Sequence, residues 1–188
     1  MFRRRPMAGS VESAPSVRPV STEPGRTEAT GTRYRMIEKL ASIGDDFFIQ
    51  NDQGQRVVIV DGKALRLRDL VVFRDMQGNE ICKILQRSAR MRDAMEVQNP
   101  QGQRVALITR SMITPLRDRF VVKIGSGVDL DVRGNILSHE YRIGNIATVS
   151  RMWFRLRDSY GVEIAPGHND VIILAVTVCI DQMTTDLA

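Results

Sequence analysis

The sequence predicts an antiparallel, mostly β domain that closes into a sandwich or a barrel, and three observations predict it. Gly54, Gly78 and Gly102 stand 24 residues apart, in "DQGQRV", "MQGNEI" and "PQGQRV". A glycine supplies the positive φ that a tight hairpin needs, and a short apolar run flanks each of these on both sides. Apolar and polar residues also alternate with period two: in "RFVVKI", Phe120, Val122 and Ile124 face one way and Arg119, Val121 and Lys123 the other. Such alternation belongs to an antiparallel sheet with one face in water. Finally, the chain after residue 33 has room for roughly ten to twelve such strands, and an open sheet of that width curls or closes.

In chain order, residues 1–33 come first as a tail. They hold four of the seven prolines, many Ser, Thr, Gly and Glu, and almost no large apolar side chains. A segment of that composition cannot offset its ordering entropy and is expected to be disordered. No apolar stretch follows its positive start, so no secretory signal is expected there. Arg3, Arg4 and Arg5 would touch an anionic surface only weakly.

Three hairpins follow: "FFIQNDQGQRVVIV", "LVVFRDMQGNEICKIL" and "AMEVQNPQGQRVALIT". "DGKALRLRDL" reads as a strand with Leu65 and Leu67 opposite Arg66 and Arg68. "RMWFRLRD" also reads as a strand, with Met152, Phe154 and Leu156 opposite Arg151, Trp153, Arg155 and Arg157. "GSGVD" at 125–129 reads as a turn, because it lacks the strand–glycine–helix context of a dinucleotide site.

The last element is "NDVIILAVTVCIDQM", with ten uncharged residues from Val171 to Ile180. That falls short of the roughly 20 residues needed to span a bilayer as a helix. Its β-branched residues favour a strand, whereas Asn169 as a cap and Asp170 in a first turn favour a helix. Propensity leaves both open. A helix apolar on every side must be surrounded by protein.

"YRMIEKLASIGDDFFIQNDQGQRVVIVDGKALRLRDLVVFRDMQGNEICKI", with "VRGNILSHEYRI", "VSRMWFRLRDSYGVEI" and "NDVIILAVTVCIDQM", resembles the LURP-one-related family of tubby C-terminal-like proteins. The resemblance covers residues 34–188 as one domain. It implies a closed antiparallel barrel of about twelve strands around a buried hydrophobic C-terminal helix carrying Ile173, Leu174, Val178 and Cys179. It also implies kinship with tubby proteins, which bind phosphoinositide head groups, and with phospholipid scramblases. The lipid-binding lysines and arginines of tubby proteins are not carried over onto positions of this chain.

Composition narrows the function further. The net charge is +5, of which six arginines against three glutamates in the tail carry the larger part. A nearly neutral folded part argues against nucleic acid as the partner. Two cysteines, Cys82 and Cys179, provide neither a disulfide framework nor a zinc site, which fits a reducing, cytoplasmic setting. His139 and His168 are too few for a histidine metal site, and no catalytic constellation is present, so no enzyme activity, metal or cofactor is expected. Asp129 and Asp131 share a strand face, and a solvated strand end is expected there. His139 is expected to hydrogen-bond inside the domain, and Asp181 to end the buried stretch or cap an inner network.

Arginines remain as the candidates. Arg87, Arg90, Arg92, Arg110, Arg117 and Arg119 would form one exterior patch for an anionic lipid if their hairpins stack as neighbours. Trp153, with Arg155 and Arg157, is the candidate interface for an unidentified protein. The leading expectation is a non-enzymatic binding module that recognises anionic phospholipid head groups at the cytoplasmic membrane face. The alternatives are a protein–protein module and scramblase-like lipid handling. Oligomeric state is left open.

Overall fold

Three hairpins repeat one local solution. In each, an Asn or Asp opens the turn and its side-chain oxygen accepts the backbone N–H four residues on: Asn51 from Gln55 at 2.9 Å, Asp75 from Asn79 at 2.8 Å and Asn99 from Gln103 at 2.9 Å. The following glycine then adopts positive φ, +77° at Gly54, +88° at Gly78 and +76° at Gly102. Asx side chains that cap their own turn and glycines that take the left-handed region are what fix these loops. The 24-residue repeat is therefore a repeat of turn chemistry.

The computed structural model describes residues 31–37, 47–61, 70–88, 91–114, 117–153 and 159–185. The tail through residue 30 and most of the strand expected in "DGKALRLRDL" lie outside the described residues. The strands are β1 (Thr32–Ile37), β2 (Phe47–Asn51), β3 (Arg56–Asp61), β4 (Leu70–Arg74), β5 (Glu80–Ser88) and β6 (Met91–Gln98). They continue as β7 (Arg104–Thr114), β8 (Arg117–Ile124), β9 (Asp129–Asn135), β10 (Glu140–Ile143), β11 (Ala147–Ser150) and β12 (Ser159–Ile164). Each pairs antiparallel with the next, and β12 closes on β1, with Tyr34 opposite Val162 and Met36 opposite Tyr160. The result is a closed twelve-stranded barrel, as expected. Arg33, counted with the tail from its sequence, is already a β1 residue and pairs with Glu163 at 2.8 Å.

The ambiguous apolar segment is a helix, α1 (Asp170–Thr185), inside the barrel. Asn169 caps it, its Oδ1 accepting from Ile172 N at 3.2 Å. Every residue from Ile173 to Asp181 is buried, including Leu174, Val178 and Cys179. Burying each large apolar side chain is worth on the order of 2 kcal/mol gross, which outweighs the small helix penalty of β-branched residues. Thr177, fully buried, returns its hydroxyl to the Ile173 carbonyl at 3.0 Å. Inward residues of the strands, such as Ile49, Phe73, Ile84, Ile108 and Val122, complete this core.

Helix and barrel are tied at both ends. Near the glycine hairpins, Tyr34 Oη donates to Asp170 Oδ2 at 2.6 Å. Partial burial first, and the Asp170 carboxylate second, push the Tyr34 phenol far above its ordinary value. At the opposite end, Arg110 Nη1 donates to the Met183 carbonyl in the last turn of α1. A cation there also complements the negative end of the helix dipole.

One expected strand is corrected. Arg151–Trp153 forms a single 3-10 turn. Ser150 precedes it and its Oγ accepts from Met152 N at 3.2 Å, the behaviour of a serine N-cap. Alternation in "RMWFRLRD" is outweighed by that cap; residues 154–158 lie outside the described residues.

Candidate anion-binding surface

The outer wall formed by β8, β9 and β10 is assembled from one glycine outward. Gly134 in β9 has φ +131°, and a Cβ there would lie 2.7 Å from Tyr141 Cα and overlap the Glu140 carbonyl oxygen. Only glycine lets β10 approach this closely. The resulting register puts Gly134 opposite Tyr141 and, one step on, Arg133 directly opposite Arg142.

Both arginines stand on the outer face. The Arg133 side chain is 83% exposed, and Arg142 is exposed as well. Like charges directly opposite on an antiparallel pair destabilise it, so an anion across the pair is favoured. Arg119 on β8 joins them through Asp131, which accepts from Arg119 Nη2 at 2.6 Å and Nε at 3.0 Å, and from Arg133 Nη2 at 3.4 Å. The Arg119 hydrogen bond, then that of Arg133, holds the Asp131 carboxyl below the usual carboxylate range. Two guanidinium groups thus share one carboxylate, and Arg142 has no carboxylate partner among the described residues. Neighbouring Asp129 faces Lys123 at 3.8 Å, so both aspartates of "VDLDVRGN" are engaged by cations from β8.

The six arginines singled out from the sequence separate. Arg119 belongs to the row just described. Arg87 is exposed on β5, two intervening strands away from β8. Arg110 is a correction: it sits opposite Phe120, which faces the core, so it points inward and caps α1. Arg92 and Arg117 lie in β6 and β8 with side chains outside the described residues, as Arg90 is altogether. Trp153 is half-buried beneath the Arg33 guanidinium, 5.2 Å from its ring centroid, and Arg155 and Arg157 lie outside the described residues.

Below the row, an inner polar network anchors the β9–β10 turn to the end of α1. His139 has φ +52°, stacks on Tyr160 with ring centroids 4.2 Å apart, and puts Nε2 3.4 Å from Asp181 Oδ1. Tyr160 Oη donates to Asp181 Oδ2. Positive φ at a non-glycine residue costs on the order of 1 kcal/mol and persists only when its surroundings hold it. The His139 and Asp181 side chains thus both face inward, and Asp181 joins this inner network rather than ending the buried stretch, since Met183 beyond it is buried as well. Tyr141 Oη is buried in the same region without a hydrogen-bond partner among the described residues; burial, then the Asp181 charge, raises its phenol well above its ordinary value.

Arg133 and Arg142 were missed from sequence. Their signal was available only as phase: Asp129, Asp131 and Arg133 share one strand face, and Arg142 meets it once the β9–β10 register is known. Among the described residues no three His, Cys, Asp or Glu side chains are grouped to hold a metal ion, and no helix is long and apolar enough to cross a membrane.

Comparison with known proteins is consistent with this architecture. A family model described as LURP-one-related matches residues 32–181. A solved X-ray structure of an Arabidopsis thaliana protein is similar, with TM-score 0.60 and 18% identity over 83% of this chain and 93% of that one. No curated protein sequence matches the chain.

Proposed function

Because the chain belongs to the LURP-one-related family, we propose that it is a non-enzymatic binding module whose outer β8–β10 wall takes the head groups of anionic phospholipids. The observation that supports this reading is the cross-strand pair Arg133–Arg142, flanked by Arg119, with Asp131 shared between Arg119 and Arg133 alone. Each cation near an anionic membrane contributes about 1 kcal/mol, so a row of three supports modest, salt-sensitive association. α1 occupies the barrel interior, which leaves the exterior for ligands. The protein is then a peripheral one, held on the cytoplasmic face of the membrane by charge.

The lipid reading is preferred over a protein partner docked on Trp153, because that ring is already covered by Arg33. Sedimentation with phosphatidylserine–phosphatidylcholine vesicles tests it. The protein binds at low ionic strength, releases at high salt, and loses most binding as the R133E/R142E double variant. Failure of the parent protein to sediment overturns the lipid reading. Equal binding by the double variant assigns the contact to another surface.

A further inference from the structure

Two large apolar side chains lie in turns that adjoin this wall and, among the described residues, are left largely uncovered: Leu137 is 72% exposed and Met152 is 84% exposed. They come from different segments, the β9–β10 turn and the 3-10 turn after β11. One carboxylate joins those segments. Glu140 Oε1 accepts from Ser150 Oγ and from Arg151 N, each at 2.9 Å. Leu137 is three residues before Glu140 and Met152 one residue after Arg151, so the turns that carry them are tied together at that carboxylate.

The Leu137 tip is rigidly presented. Ser138 N donates to Asn135 Oδ1 at 3.1 Å and His139 N to the Ile136 carbonyl at 3.0 Å. His139, in its positive-φ conformation, is clamped from inside by Tyr160 and Asp181. The barrel core thus fixes a turn that presents an exposed apolar side chain, Leu137. Arg133 and Arg142 lie farther along the same wall, beyond the Asn135–Glu140 and Gly134–Tyr141 steps of the ladder.

Resting on the lipid reading above, we infer that Leu137 and Met152 are a pair of insertion tips that enter the interfacial layer of an anionic bilayer while Arg133 and Arg142 meet its phosphates. Apolar anchors with cationic shoulders fit a membrane surface, where one layer receives the side chains and the next the charges. A soluble polyanion would satisfy the arginines and leave both apolar tips in water. That difference separates the two sources of phosphate.

Trp153, the single tryptophan of the chain and the neighbour of Met152, provides the readout. Phosphatidylserine vesicles carrying phosphatidylcholine brominated near the head-group end of its acyl chains should quench its fluorescence on binding. Leu137→Ser and Met152→Ser should each weaken vesicle binding about tenfold, the scale of one apolar side chain removed from a membrane. Their salt dependence and their affinity for inositol hexakisphosphate should stay that of the parent. If the vesicles bind yet both serine variants bind as tightly and Trp153 is not quenched, the insertion inference fails and the lipid reading stands. If the parent protein ignores anionic vesicles at low ionic strength, both fall.

Discussion

Two tyrosines stand near the Asp181 carboxylate with opposite consequences. Tyr160 Oη donates to it, whereas Tyr141 Oη is buried with no hydrogen-bond partner among the described residues. An unpartnered buried hydroxyl carries its desolvation cost with nothing in return. Tyr141→Phe is therefore expected to leave stability unchanged or raise it by up to about 1 kcal/mol, and Tyr160→Phe to lower it by about 1–3 kcal/mol. Urea denaturation of the two variants measures both signs. Asp131 gives a second residue-level expectation. Its folded pKa is depressed by Arg119 and Arg133, so its stabilising contribution is present above the usual carboxylate range and is lost as pH falls through the lower folded value. Asp131→Asn removes that part of the acid sensitivity. It also frees two guanidinium groups, and vesicle affinity at low ionic strength should rise about fivefold, the equivalent of one added cation.

At the scale of single elements, β9 and β10 depend on Gly134. Gly134→Ala would meet Tyr141 Cα and the Glu140 carbonyl and force a strained φ. A loss of about 2–4 kcal/mol is expected, read as a lower melting temperature, with vesicle binding lost because Arg133 and Arg142 separate. The hairpins were legible in the sequence because their determinants are local: Asn51, Asp75 and Asn99 each hydrogen-bond within the loop they open. α1 was not legible from propensity, since Val171, Ile172, Val176 and Val178 suit a strand and only the surrounding barrel decides otherwise. The 3-10 turn escaped because Ser150 and Glu140, ten residues apart, together override the alternation that follows. Arg110 was misplaced for a related reason. Ala106, Ile108 and Arg110 share a phase that faces inward, and a charged residue in that phase finds its partner only at the end of a helix distant in sequence.

For the whole molecule, the decisive relation is between a filled interior and a functional exterior. Leu174 is fully buried in α1, so Leu174→Asp places a carboxylate in the core and should abolish the cooperative fold, read as loss of soluble protein and of its thermal transition. The same relation separates surface docking from scramblase-like lipid handling, in which the apolar helix would have to leave the barrel for the bilayer. Hydrogen–deuterium exchange of the full chain, with and without phosphatidylserine vesicles, tests it most directly. The account predicts slowed exchange confined to the turns at 136–139 and 151–153 and the adjoining strands, while 170–185 keeps its protection unchanged. Loss of protection across 170–185 on adding vesicles would contradict it.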